Sequence, residues 1–340
     1  MHEYAVSKVQ NLTFGNSFYG VLFLYLIRNK PFKISYTKHR ILITNLIKEV
    51  YLSDLKSVAM GLLSIIDVDE AFSDYENLRC DKNFYYIYKH LSFDQYFKVL
   101  EIFTDCHLKF TPPARFNDPY DCVAVTEIEG NKNPDLLQKA LTEKLAVTCF
   151  NNNPLSILMW SHYAQSHQGF VIEFRIPQPF IYGPAPDVLT LLKVIYTDTF
   201  PKTVLPSIPF TPWSNDFLKI MNQMVKNQFL TKSIEWKYEE EFRVLKHDYD
   251  PNDEDSLFVK FPPLSIASVI LGAKLNSDDE KYNRLSNAIN QYNLSNKCHL
   301  PVYQAQLQPH SFKLEVPGHP RLSKEAFTIR HFEESLKAQE

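Results

Sequence analysis

The sequence predicts an α+β protein: a mixed or antiparallel sheet with flanking helices, preceded by an N-terminal helical module. Three observations predict this. Short apolar runs of period two alternate irregularly with runs of helical period, which argues against a doubly wound parallel sheet. Only 8 glycines occur among 340 residues, and neither a P-loop nor a GxGxxG phosphate loop is present. Residues 1–80 differ from the rest, carrying Leu42, Ile43, Leu46, Ile47 and Val50 at helical spacing and few strand signals.

The module at 1–80 holds a basic stretch, Arg28, Lys30, Lys33, Lys38, Arg40 and Lys48, with Phe32, Tyr36 and His39 between. A solvated basic face explains it more simply than an RNA or partner contact. The α+β unit is expected over 81–316. It opens with a tyrosine-rich strand at 83–89, and Ser92 with Gln95 forms a capping box for a helix carrying Tyr96, Leu100 and Phe103 inward. A strand near 106–110 and a proline-rich turn at 111–121 follow. Asn133 and Pro134 open a helix with Leu137, Leu141 and Leu145 on one stripe.

A buried strand at 146–150 comes next, and Asn153-Pro154 caps a helix over 155–164. The alternation at 169–174 points Glu173 away from Phe170, Ile172 and Phe174. A strand near 192–196, a loop at 197–214 and an amphipathic helix at 215–230 lead to a charged strand at 239–246. Strands at 256–261 and 267–271, a helix at 278–292, a last strand near 302–315 and a peripheral helix over 317–340 complete the reading.

Composition narrows the function classes. Net charge is −3, so no global field draws in nucleic acid. The 5 cysteines form no CxxC pair, which suits reduced thiols in the cytoplasm and offers no zinc motif. The longest apolar run, residues 17–27, is shorter than the ~20 residues a membrane span needs, and no signal peptide is evident. A cytoplasmic protein without a membrane partner is expected.

Four clusters carry polar chemistry. The late strand presents Glu239, Glu241 and Arg243 on one face and Phe242 and Val244 on the other. Charges so placed are costly to bury unless they pair or bind something; a solvated face is the plainer alternative. Tyr86, Tyr88 and Lys89 lie on the first strand, where tyrosine is usually packing. Arg115, Asn117, Asp118 and Asp121 form either turn chemistry or a polar clamp for a ribose or pyrophosphate. Trp160 and Tyr163, three apart on a helix, form either core or a stacking platform. Ser161 and His162 are adjacent on that helix, point apart, and make no nucleophile–base pair.

The ordered motifs YKH, FNDPYD, TCF, MWSHYA, GFVIEF, VIY, WKYEEEFRV and ILG resemble the bacterial family called domain of unknown function 2971, over about residues 84–272. More distantly, an early-strand tyrosine, a polar middle strand and a late Glu-x-Glu strand resemble the ADP-ribosyltransferase superfamily. That resemblance implies a split sheet holding NAD, consumed as a substrate, without a glycine loop. It implies that Tyr86 or Tyr88 orients NAD, that Tyr163 stacks on nicotinamide, and that Glu241, or else Glu239, holds the ribose and stabilises an oxocarbenium-like state.

Lys89, Arg115, Asn117, Asp118, Trp160 and Arg243 would complete the binding site, with no metal. A toxin or defence effector modifying a nucleic acid or protein, with a neutralising antitoxin partner, is the corresponding expectation. The alternatives are a metal-dependent nuclease or phosphodiesterase using Asp118, Asp121, Glu173 and Glu239, and a noncatalytic binding module. Glu241→Gln is expected to abolish transfer while leaving thermal stability nearly unaltered.

Overall fold

The structure is a computed structural model describing residues 78–81, 84–128, 145–177, 191–205, 215–247 and 249–323. Its centre is an eight-stranded mixed sheet. In chain order the strands are β1 (Arg79–Cys80), β2 (Phe84–Leu91), β3 (Leu145–Asn151), β4 (Phe170–Pro177), β5 (Leu191–Lys193), β6 (Glu241–His247), β7 (Ile266–Leu271) and β8 (Val302–Gln304). In space they run β8-β7-β4-β2-β3-β6-β5, with β1 added to β2. Only the β7–β8 pair in this sheet is parallel. The helices are α1 (Glu101–Thr104), α2 (Ile157–Tyr163), α3 (Asn215–Phe229) and α4 (Glu280–Asn296). Among the described residues the architecture is therefore a mixed sheet with few helices.

Period-two alternation assigns the two faces of the sheet. One face sends Ile87, Phe150, Phe170, Ile172, Phe174, Phe242 and Val244 into the main core, against Phe103 of α1 and Leu285, Ile289 and Tyr292 of α4. Each such side chain contributes roughly 1.5–3 kcal/mol of burial. The other face carries Tyr86, Tyr88, Val171 and Ile270, covered by Trp160 of α2 and by Val316 and Leu322 near the end of the described chain.

The register between β2 and β3 positions everything that follows. These neighbours share a single residue pair, Tyr88 with Asn151. On one side of that pair β1 takes over the edge of β2, with Arg79 opposite Tyr86. On the other side the strands part, and Thr111 bridges to Val147 of β3 instead. The sheet is thus split at Tyr88. Two glycines hold the neighbouring turns close: a Cβ at Gly169 would collide with the Leu91 carbonyl, and one at Gly272 with the carbonyl of His167.

Several expected boundaries move. Asp94, not Ser92, caps the turn before α1, accepting from the amides of Tyr96, Lys98 and Val99, and Tyr96 is exposed. Leu145 belongs to β3, not to a helical stripe. Ser156, not Asn153, caps α2. The expected 239–246 strand begins at Glu241, because residues 234–239 form a 3-10 turn and Glu240 takes a left-handed conformation at φ 43°. A glutamate among glutamates gives no sequence signal for that kink.

The 256–261 strand is a 3-10 turn followed by Phe258–Lys260, and the 302–315 strand is three short pieces. Among the described residues the first strand of the sheet is Arg79–Cys80, and residues 317–323 pack against the sheet. The rest of the N-terminal module, the Asn133 helix and most of the C-terminal helix lie outside the described residues. No helix among the described residues is long and apolar enough to cross a membrane.

Candidate functional site

The split opens a cleft of about 360 Å³. Tyr88, Lys89 and His90 of β2 form one wall and residues 147–151 of β3 the other. The 111–117 turn, Asp121, Tyr163, Lys232, Glu239 and Glu241 surround it. Cross-strand register explains why these residues meet. Ser268, Glu173, Tyr88, Asn151 and Glu241 stand opposite one another in a continuous row over five neighbouring strands.

A buried ion cluster closes one end. Arg243, fully buried, donates to Glu241 from Nε (2.7 Å to Oε1) and Nη2 (3.0 Å to Oε2), and Nη2 also lies 2.8 Å from Asp121 Oδ2. Its Nη1 reaches the Phe229 carbonyl at 2.8 Å and Cys122 Sγ at 3.3 Å, fixing the loop after Asp121 to the end of α3. Lys232 Nζ sits among Glu239 (2.6 Å), Glu241 (3.2 Å) and Asp121 (3.2 Å). Three carboxylates thus face two cations.

The two glutamates respond oppositely. Burial acts to raise the Glu241 carboxyl, but Arg243 and Lys232 outweigh it and hold the group well below the usual carboxylate range. Burial, then the Glu241 charge, push Glu239 up to about 7 against the pull of Lys232. Glu239 also accepts from the Tyr163 hydroxyl at 2.5 Å. One carboxylate therefore stays ionised while its neighbour exchanges a proton near neutrality, a division of labour that suits acid–base work.

Lys89 adds a further buried cation to the cleft lining, within the field of Glu241. Lys89 Nζ donates to Thr148 Oγ1 (2.9 Å) and the Cys149 carbonyl (2.8 Å), bridging the diverging strands. Burial lowers its pKa, with Cys149 and Glu241 opposing. Arg115 stands half-exposed at the rim, paired with Glu254. Both His90 ring nitrogens, Asn151 Oδ1 and Asp121 Oδ1 are buried without a hydrogen bond of ordinary geometry, although the His90 ring faces the Asn151 side chain and the Pro154 backbone. Burial pushes the His90 imidazole down to about 3, keeping it neutral. Buried polar atoms left open on a cleft wall favour a ligand or water that completes them.

Among the expected site residues, Glu239, Glu241, Tyr88, Lys89, Arg115, Asn117 and Tyr163 line the cleft. The others do not. Tyr86 lies two residues along β2, bonds Asp81 and packs beneath Arg321. Asp118 caps its own turn through the Tyr120 amide at 2.9 Å. Trp160 is fully buried, its indole N–H donating to the Pro154 carbonyl at 2.7 Å, so α2 sends Trp160 to the core and Tyr163 to the cleft. Arg243 stands behind Glu241 as its countercharge.

The four carboxylates of the metal-dependent alternative do not converge. Glu173 lies three strands, roughly 14 Å, from Glu241, which shares Lys232 with Asp121 and Glu239, and Lys232 occupies the centre of that group. Sequence reasoning missed Asn151 and Lys232, and noted His90 only within the YKH motif without a role. Alternation through residues 145–151 puts Asn151 on the Glu241 face, a usable signal for one of them; Lys232 left none. The cluster also corrects the expectation for Glu241→Gln. Removing one carboxylate leaves Arg243 buried with less compensation, a change that typically costs about 3–5 kcal/mol.

A family model described as a protein of unknown function (DUF2971) matches residues 159–244. That segment contains the MWSHYA, GFVIEF, VIY and WKYEEEFRV motifs, while YKH, FNDPYD, TCF and ILG lie outside it. No curated protein and no solved structure matches the chain.

Proposed function

We propose that the cleft binds NAD as a substrate and transfers its ADP-ribose to a nucleic acid or protein acceptor. The observation that carries this reading is the register of Tyr88, Asn151 and Glu241. One polar side chain from an early, a middle and a late strand stand side by side where the sheet splits. The cleft lining also offers the cations Lys89 and Arg115 for the pyrophosphate and the ionised Glu241 for the ribose. No glycine loop is needed, in keeping with the scarcity of glycine.

The chemistry follows from the charges. The bond between the nicotinamide nitrogen and ribose C1′ breaks, and its electron pair leaves with neutral nicotinamide. Positive charge develops on C1′ and the ring oxygen. Glu241, kept ionised by Arg243 and Lys232, stabilises that charge more in the transition state than in the ground state. An acceptor oxygen or nitrogen then bonds to C1′ and gives its proton to Glu239, whose raised pKa suits it to receive one. Tyr163 and Tyr88 supply aromatic walls, the Tyr88 hydroxyl being held by Glu173. A toxin or defence effector restrained by a partner remains the corresponding biological proposal.

One observation favours a second reading, a noncatalytic binding module. Both Glu241 oxygens are already engaged by Arg243 and Lys232, so the cluster also works as a clamp on the loop after Asp121. The two readings separate on incubation of the protein with NAD labelled in its adenylate and a cell lysate, without added metal. Transfer predicts label in one macromolecular fraction, lost in Glu239→Gln and in folded Glu241→Gln. Absence of labelled product and of released nicotinamide favours the module.

A further inference from the structure

A second buried polar cluster lies outside the cleft, and the segment at 316–323 builds it. Glu173, fully buried on β4, accepts from Arg321 Nε (2.8 Å) and Nη2 (2.6 Å), from Ser268 Oγ (2.8 Å) and from the Tyr88 hydroxyl (3.1 Å). His319 Nδ1 accepts the Arg321 amide at 3.1 Å, so the ring hydrogen sits on Nε2, beside Ser268 Oγ (3.1 Å) and Glu173 Oε2 (3.4 Å). Serine and glutamate thus face the same imidazole nitrogen in a closed interior, and this is no hydrolytic triad. Val316 and Leu322, both buried, anchor the segment on either side, and the Arg321 guanidinium stacks 3.8 Å over the Tyr86 ring.

Tyr88 connects this cluster to the cleft. Its ring lines the cleft while its hydroxyl is committed to Glu173. A fully buried carboxylate holds its geometry only while its countercharge stays seated, and here Arg321 supplies that charge through two parallel bonds. Without it, Glu173 must take up a proton or admit water, and either change weakens its hold on the Tyr88 hydroxyl.

We propose that residues 316–323 form a strap that sets the ligand cleft, with Arg321 as a positioning residue acting through Glu173 on Tyr88. For the identity of the cleft ligand this rests on the NAD reading above. The test compares wild type, Arg321→Gln and Arg321→Lys, each with Tyr88 and with Tyr88→Phe, by NAD kinetics and by hydrogen exchange.

Arg321→Gln is expected to raise KM for NAD about tenfold with little change in kcat, a coupling ordinary for groups in contact. Arg321→Lys is expected to recover part of the loss, and the Arg321 effect to vanish once Tyr88 is phenylalanine. Amide exchange is expected to rise in residues 84–91 but not in 241–247. Additive effects of the two substitutions, or exchange unchanged in 84–91 or raised equally in 241–247, would overturn the strap. If wild type turns over no NAD, the functional reading fails while the exchange comparison still decides the strap. If Arg321→Gln does not fold, Arg321→Lys carries the same comparison.

Discussion

Glu173 and Glu241 are buried carboxylates in one cross-strand row, and they differ in what their partners leave open. Glu241 shares its cations with Glu239 and Asp121 at the wall of a cleft, whereas Glu173 is closed on all sides. The closed site has a consequence for acid stability. Burial acts to raise the Glu173 carboxyl, but its bonds to Arg321 and His319 bring it from 4.5 down to about 2. A carboxylate whose folded pKa is depressed contributes stability above about pH 4.5 and loses it as pH falls toward 2. The shift corresponds to roughly 3 kcal/mol. Urea unfolding at pH 5 and pH 2.5 is therefore expected to show a larger drop for wild type than for Glu173→Gln, which starts lower and falls less. Equal drops would mean that Glu173 is not ionised against Arg321.

At the scale of elements, α2 divides its aromatics between two tasks. Trp160 fills the second core edge-on to His90 at 5.2 Å, and Tyr163 turns to Glu239. Trp160→Ala is expected to cost about 3–5 kcal/mol, read as a lower denaturant midpoint. A folded variant without NAD affinity would instead make Trp160 part of the ligand site. Periodicity revealed β3, β7 and α3 nearly to their ends, and placed β4 and α4 but stopped three and four residues short of their C-terminal ends. It could not reveal the single Tyr88–Asn151 pair, since register between strands distant in sequence is written in no local pattern. Asp94 displaced Ser92 as cap for a related reason: both are competent capping residues, and only the path of the chain chooses between them.

At the scale of the whole molecule, the cleft depends on parts far apart in the chain. The DUF2971-matched segment supplies Tyr163, Glu173, Lys232, Glu239, Glu241 and Arg243, while Tyr88, Asn151 and Arg321 come from outside it. The charged half of the site was therefore legible as a Glu-x-Glu-x-Arg pattern, but its countercharge Lys232 and its strap were not. Neither ion pair nor strap has a sequence spacing to recognise; each exists only once the sheet has formed. The most direct measurement of the central claim is a calorimetric titration of the purified protein with NAD, chelator present. The account predicts saturable binding at one site per chain, weakened in Tyr88→Phe. A folded protein that takes up no NAD at millimolar ligand would contradict it.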